Sequence, residues 1–185
     1  MSATKAYHHG DLRRALLASA VDAIAESGPA ALSLRDLARR AGVSHAAPAH
    51  HFGDKAGLLT ALAAQGFDLL AEELRQSGTD LLEAGVGYVR FAVRHRAHFE
   101  VMFAPGLYRR DLPEVTAARD RATAALREAI ARNPDASASD PQATRLATWS
   151  IVHGFATLWL SGALPAEVGT DPETAARNVI PLLFR

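Results

Sequence analysis

"LSLRDLARRAGVSHAAPAHHFGDKAGLL", residues 32–59, holds two short helical patterns on either side of a glycine. Ser33 precedes Asp36 by three positions, the spacing of a capping box at a helix start. Leu34, Leu37, Ala38 and Ala41 then fall on one apolar face. Gly42 ends this helix with a residue that accepts positive φ, and Val43 is expected to plug the space behind the turn. Ser44 is expected to cap a third helix by accepting from the amides that follow. Asp54 has the place of a cap on a fourth, longer helix running to about Leu74. A helix, a Gly-Val-Ser turn and a second short helix in close succession form a helix-turn-helix pattern. In that arrangement the second helix enters the DNA major groove with its N-terminal residues at base edges.

The three histidines of this stretch admit other readings. Metal binding fails on spacing, because His50 and His51 are adjacent and point about 100° apart on a helix. No cysteine exists to complete a zinc set. His8 and His9 form a similar adjacent pair, expected in a mobile arm. No metal site and no cofactor is therefore expected.

Working outward, Leu12, Leu16, Ala20 and Ile24 recur at four-residue spacing with Leu17 and Val21 beside them. This predicts a first helix from about Asp11 to Ser27, ended by Gly28 and Pro29. Beyond residue 60, helices are predicted at about 80–96, 98–103, 113–132, 141–163 and 172–184. Asp140-Pro141 and Asp171-Pro172 each pair an acceptor cap with proline at the first helical position. Pro181 is expected to kink the final helix. Residues 133–140 read as an exposed loop. No alternating strand pattern occurs, so the fold class is all-α. No apolar run reaches membrane-spanning length and no signal-peptide core is present, which predicts a cytoplasmic protein with no membrane partner.

The 185 residues carry no net formal charge. Lys5, Arg13, Arg14, Arg35, Arg39, Arg40 and Lys55 nevertheless outnumber the five acidic side chains of residues 1–57. The first part is thus slightly basic and the remainder slightly acidic, a weak electrostatic hint of a polyanionic partner.

The quoted stretch, together with the apolar helix before it from Tyr7, resembles the DNA-binding domain of the TetR family of bacterial transcriptional regulators. The resemblance runs to about Leu62 and includes the His51-Phe52 pair followed by Lys55. It implies a three-helix DNA-binding domain over 1–57 and a helical regulatory, ligand-binding and dimerisation domain over 58–185. By the same resemblance His45, Ala46, Ala47, Ala49 and His50 fall where bases are read, and Ser44 is counted with them among the DNA-binding residues. Arg35 falls where members often place a base reader, and its planar fork suits guanine O6 and N7. Ser33, His51 and Lys55 match positions that contact phosphates. Two departures stand out. Ala49 replaces a tyrosine that usually anchors a phosphate, and Pro48 disfavours helical geometry at Ala47, so a distorted helix start is expected.

"TWSIVHGFATLWLSG", residues 148–162, resembles the Trp-His-Gly signature of one C-terminal subgroup of the family. Trp149 and His153 share a helical face. They read equally as core or, with Val152, as part of a ligand cavity. Tyr88, Phe91, His95, Phe99, Met102 and Phe103 are likewise cavity lining or plain core, and the sequence does not choose. No nucleophile–base–orienter set surrounds His153, so no enzyme and no catalytic residue is expected.

The helix carrying Trp149 is apolar on two sides. Leu146, Trp149, Val152, Ala156 and Trp159 make one face; Ala147, Ile151, Phe155, Leu158 and Gly162 make the other, with Gly154 among them. Two stripes predict packing in two directions. One is the domain core and the other a second subunit, joined by Ala176, Val179, Ile180 and Leu183 of the last helix. A central helix buried in a monomer is the alternative. The expected function is a ligand-responsive regulator, most simply a repressor, binding a near-palindromic operator as a homodimer with an unknown small-molecule effector. The alternative is a small-molecule-binding helical protein with weakened or lost DNA recognition.

Overall fold

A computed structural model describes residues 3–78, 80–132 and 140–183, with side chains for all of these except 3–10, 141, 182 and 183. Regular structure among the described residues is entirely helical. The elements are α1 (Ala3–Ala31), α2 (Leu34–Arg40), α3 (Ala47–Phe52), α4 (Lys55–Gln76), α5 (Leu81–Arg94), α6 (Arg96–Met102), α7 (Pro113–Ala131), α8 (Pro141–Leu160) and α9 (Pro172–Val179). Short 3-10 turns cover Pro105–Leu107, Ala166–Val168 and Ile180–Leu183. No described helix is long and apolar enough to cross a membrane.

The chain folds as two compact units. The first joins residues 1–66 to residues 97–116, and the second joins 67–96 to 117–185. In the first, α1 packs on α2 and α3. The α1 stripe is buried at Leu16, Leu17, Ala20 and Ile24, while Leu12 and Val21 sit half-buried at its edge. Leu37 and Ala38 of α2 join this core, as do Leu58, Leu59 and Leu62 of α4 and Phe99, Val101 and Met102 of α6. Gly66 lets α6 come close, for a Cβ there would lie 2.5 Å from Met102 Sδ.

In the second unit α5 packs against α8 and α9. Val86, Tyr88, Val89 and Phe91 supply its buried side, met by Val152, Phe155 and Ala156 from α8 and by Ala175, Ala176 and Ile180 at the C-terminal end. Arg90 ties three helices together. Its Nε and Nη2 donate to Glu173 at 2.8 and 2.7 Å, and its Nη1 donates to Glu73 at 2.8 Å. Arg177 of α9 adds a two-pronged pair with Glu83 of α5.

Several helix ends differ from expectation. The first helix reaches back to Ala3, where an arm was expected, because alanine and lysine favour helix and Gly10 costs only about 1 kcal/mol. Gly28 breaks it at φ 77° and ψ 163°, yet Pro29 opens a last turn up to Ala31 instead of stopping the chain. Proline lacks only an amide that a first helical turn leaves unpaired. The sixth helix starts at Arg96, since His95 already closes α5. Asp140 and Asp171 cap α8 and α9 as expected, accepting from Gln142 and Thr174. The kink expected at Pro181 is a change to 3-10 geometry at Ile180. Of the loop expected over 133–140, residues 133–139 lie outside the described residues.

Candidate nucleic-acid interface

The candidate surface begins with α2. Ser33 Oγ accepts from the Asp36 amide at 3.5 Å, a long cap, and Leu37 and Ala38 anchor the inner face. Arg35, Asp36 and Arg39 are left exposed on the outer one. The helix ends in a Schellman motif. Gly42 at φ 66° donates to the Arg39 carbonyl, and Val43 donates to Ala38 at 3.0 Å. Val43 is half-buried under this turn. An open groove of about 700 Å³ runs here between Arg35, Arg39, Val43 and His45.

α3 is only six residues long. Ser44 does not cap it with its side chain; the Ser44 carbonyl accepts from Ala47, and Ala46 holds the cap position with no side-chain bond. His45 and Ala46 therefore stand in the turn before the helix, not on it. The cause is Pro48, which fits only where no amide is needed and so fixes the first turn at Ala47. Pro48 is itself buried, while His45, Ala46, Ala49 and His50 are exposed and Ala47 and His51 half-buried. The His50 and His51 rings meet edge to face, with centroids 5.5 Å apart. Among the described residues no cluster of three metal-ligating side chains occurs.

The corner from α3 to α4 is the most constrained part of the surface. Gly53 reverses the chain at φ 77° and ψ −68°. Asp54 Oδ1 then caps α4 by accepting from the Gly57 amide at 2.8 Å, and its Oδ2 accepts from Arg109 Nη2 at 2.6 Å. The Gly57 amide first, and Arg109 second, hold the Asp54 carboxyl below its ordinary pKa. Lys55 donates its ammonium to the Ala30 carbonyl at the end of α1, where the helix dipole favours a cation. Neither the Asp54–Arg109 pair nor the Lys55–Ala30 contact has a signal in the sequence, since each joins residues far apart in the chain.

The C-terminal candidates separate by unit. Phe99, Met102 and Phe103 lie in the first, with the Phe99 and Phe103 rings 4.9 Å apart. Tyr88, Phe91, His95, Trp149, Val152 and His153 lie in the second. There the Tyr88 hydroxyl lies 3.0 Å from His153 Nδ1, and the Trp149 ring stands 5.4 Å from that imidazole. Burial drives the Tyr88 phenol well up, opposed by a hydrogen bond with Trp149, and burial lowers the His153 pKa. Indole is a donor only, so the chain runs from Trp149 to the Tyr88 oxygen and from the Tyr88 O–H to Nδ1. That direction assigns the imidazole proton to Nε2.

On α8 the buried side is Thr148, Val152, Phe155 and Ala156, with Trp149 and Trp159 half-buried. Leu146, expected on that side, is 53% exposed. The side flanking it shows Ala147, Ile151, Gly154 and Leu158, with Leu158 47% exposed. Gly154 has open space where a Cβ would stand. Other members of the expected interface do different work. Phe155, Ala176 and Ile180 are covered by their own chain. Gly162 lies beyond the helix at φ 69°, in a second Schellman motif that ties Ala163 to Leu158. Val179 is exposed, and the Leu183 side chain lies outside those described.

Comparison with known proteins bears on this arrangement. Residues 16–62 match the family model described as bacterial regulatory proteins, tetR family, and residues 81–183 match the model described as tetracyclin repressor-like, C-terminal domain. The chain belongs to the TetR family. Solved structures share its fold. A protein of unknown function from Rhodococcus sp. RHA1 is similar at 32% identity and a TM-score of 0.78, with 97% of this chain and 96% of that one covered. The TetR family transcriptional regulator PfmR from Thermus thermophilus shares the fold at 23% identity and a TM-score of 0.70, covering 92% and 97%. AibR, solved with isovaleryl coenzyme A and operator DNA, shares it at 20% identity and a TM-score of 0.67, covering 94% and 98%. A search of curated proteins finds no match.

Proposed function

We propose that this TetR-family protein is a cytoplasmic, homodimeric, ligand-responsive repressor that reads a near-palindromic operator through α2 and α3. The observation carrying this reading is the exposed surface formed by Arg35, His45, Ala49 and His50 around the α2–α3 turn. Residues 1–57 are the DNA-binding part, and 58–185 sense the ligand and dimerise. Arg35, with His45, Ala46, Ala47, Ala49 and His50, faces base edges; Ser33, His51 and Lys55 face phosphates, and Ser44 lies at the turn between them. Dimer symmetry places two α3 helices about one DNA turn apart. The apolar side of α8, with Ile151, Gly154 and Leu158, pairs with its copy beside Val179. The exposure of Leu158 and of Val179, large apolar side chains left uncovered in the protomer, supports a covered surface.

The effector site is assigned to the Trp-His-Gly segment of α8 and to Tyr88 on α5, a few polar groups within an apolar core. An effector acts by its differential affinity for states with different spacing of the α3 helices. Fold relationship to AibR, solved with both a coenzyme A ester and DNA, supports coexistence of the two functions. The test is selection of bound fragments from genomic DNA, footprinting, and titration against salt. Protected half-sites of two-fold symmetry with salt-dependent affinity are expected. Failure to enrich any sequence would favour the second reading, a small-molecule binder whose DNA recognition has weakened, which the three exposed or half-exposed alanines of α3 and its turn already motivate.

A further inference from the structure

We propose that Arg109 is a positioning residue for α3. From the connection between α6 and α7, it grips the corner where α3 ends and so sets the angle at which α3 presents its exposed face. The inference rests on the DNA reading of α3. The Phe52 carbonyl, at the end of α3, lies 2.0 Å from where a Cβ on Gly57 would stand, so the last turn of α3 is pressed onto α4 without spare room. Arg109 Nη1 lies 3.1 Å from the same point, and Nη2 bonds Asp54 at 2.6 Å.

The loop that delivers this guanidinium is itself anchored. The Arg109 amide donates to Thr60 Oγ1 at 3.0 Å, and the buried Tyr108 hydroxyl donates to the Met102 carbonyl at 3.0 Å. Arg109 therefore joins a fixed loop to a turn built on the positive φ of Gly53. An ion pair whose side chains are 47% and 57% exposed contributes little to global stability. Its consequence is local, because a helix of six residues has too few backbone bonds to hold its own orientation.

The test compares the full chain with Arg109→Ala and Arg109→Lys. The probes are the duplex most enriched from genomic fragments and a scrambled duplex, each titrated at several salt concentrations. Arg109→Ala is expected to weaken binding to the selected duplex about tenfold per half-site, the loss of one base contact in each. The scrambled duplex should change by less than about twofold, because of the phosphate-facing residues only His51 lies on α3, while Ser33 and Lys55 lie off it. The salt slope should stay the same, and Arg109→Lys should restore most of the loss. Equal weakening on both duplexes with a shallower slope would mean that Arg109 itself touches phosphate, and unchanged affinity would mean that the corner stands without it; either overturns the proposal. Hydrogen exchange at the His50 and Gly53 amides decides the matter without DNA. Faster exchange there in Arg109→Ala, with α1 unaffected, supports positioning, and unchanged exchange refutes it. If the wild-type chain selects no duplex, the DNA reading fails while this measurement still tests the grip of Arg109 on α3.

Discussion

Ala49 stands exposed in the middle of α3, with no side chain long enough to reach a phosphate. Ala49→Tyr is expected to strengthen binding by about 0.5–1.5 kcal/mol per half-site, one added hydrogen bond. The gain should appear equally on selected and scrambled duplexes, since a phosphate contact does not read bases. Arg35→Ala is expected to relax preference at one base pair per half-site, by about 1–3 kcal/mol in a competition assay with mutated duplexes. His153 carries a different kind of prediction. Its folded pKa lies below 6.5 through burial, so between those values the unfolded chain takes up a proton that the folded chain refuses. Stability is complete above 6.5 and falls as pH drops below it. Melting temperatures across that range should slope downward, and His153→Gln should flatten the slope. Single residues such as Gly42, Asp54 and Asp171 were legible because caps and turns act on the next few amides. The partners of Arg109, Lys55 and Tyr88 were not, because nothing local specifies them.

Among the elements, α3 shows how a sequence pattern can be right in kind and wrong in detail. Its existence followed from the turn and the cap of α4, but its start was set by Pro48 against the claim of Ser44. The two α8 stripes follow from the period, and the period cannot tell which side meets the core; Leu146 lies outward and Thr148 inward. Gly57 also escaped notice, since its role is to leave room for the Phe52 carbonyl. Gly57→Ala is expected to cost about 1–3 kcal/mol in urea denaturation, because a backbone carbonyl must move aside. Gly66→Ala, which meets the side chains of Met102 and His98 and no backbone atom, is expected to cost less. The attachment of α9 has its own signature. Arg90 lowers the Glu173 pKa, and Arg177 that of Glu83, each below 4.5. Their contribution is complete above 4.5 and lost as pH falls through the folded values. Glu173→Gln should therefore make the acid limb of a pH-stability curve shallower.

At the scale of the whole molecule, the prediction concerns assembly through α8. Gly154 has open space around it, so Gly154→Leu should leave the folded protomer intact. If α8 pairs with its copy, the same change should overpack the joint by about 1–3 kcal/mol and shift sedimentation towards monomer. An undisturbed dimer would place the contact elsewhere. The order of the chain has a consequence for anyone rebuilding this protein. Residues 97–116 return to the unit that holds α3 after the chain has passed through the other unit. A headpiece cut after Gly66 would lack Met102, Tyr108 and Arg109, and with them part of its interior and the grip on its own corner. Grafting this unit onto a foreign partner thus calls for a chimera with three junctions, one after Gly66 and one on each side of the returning segment, not a single splice.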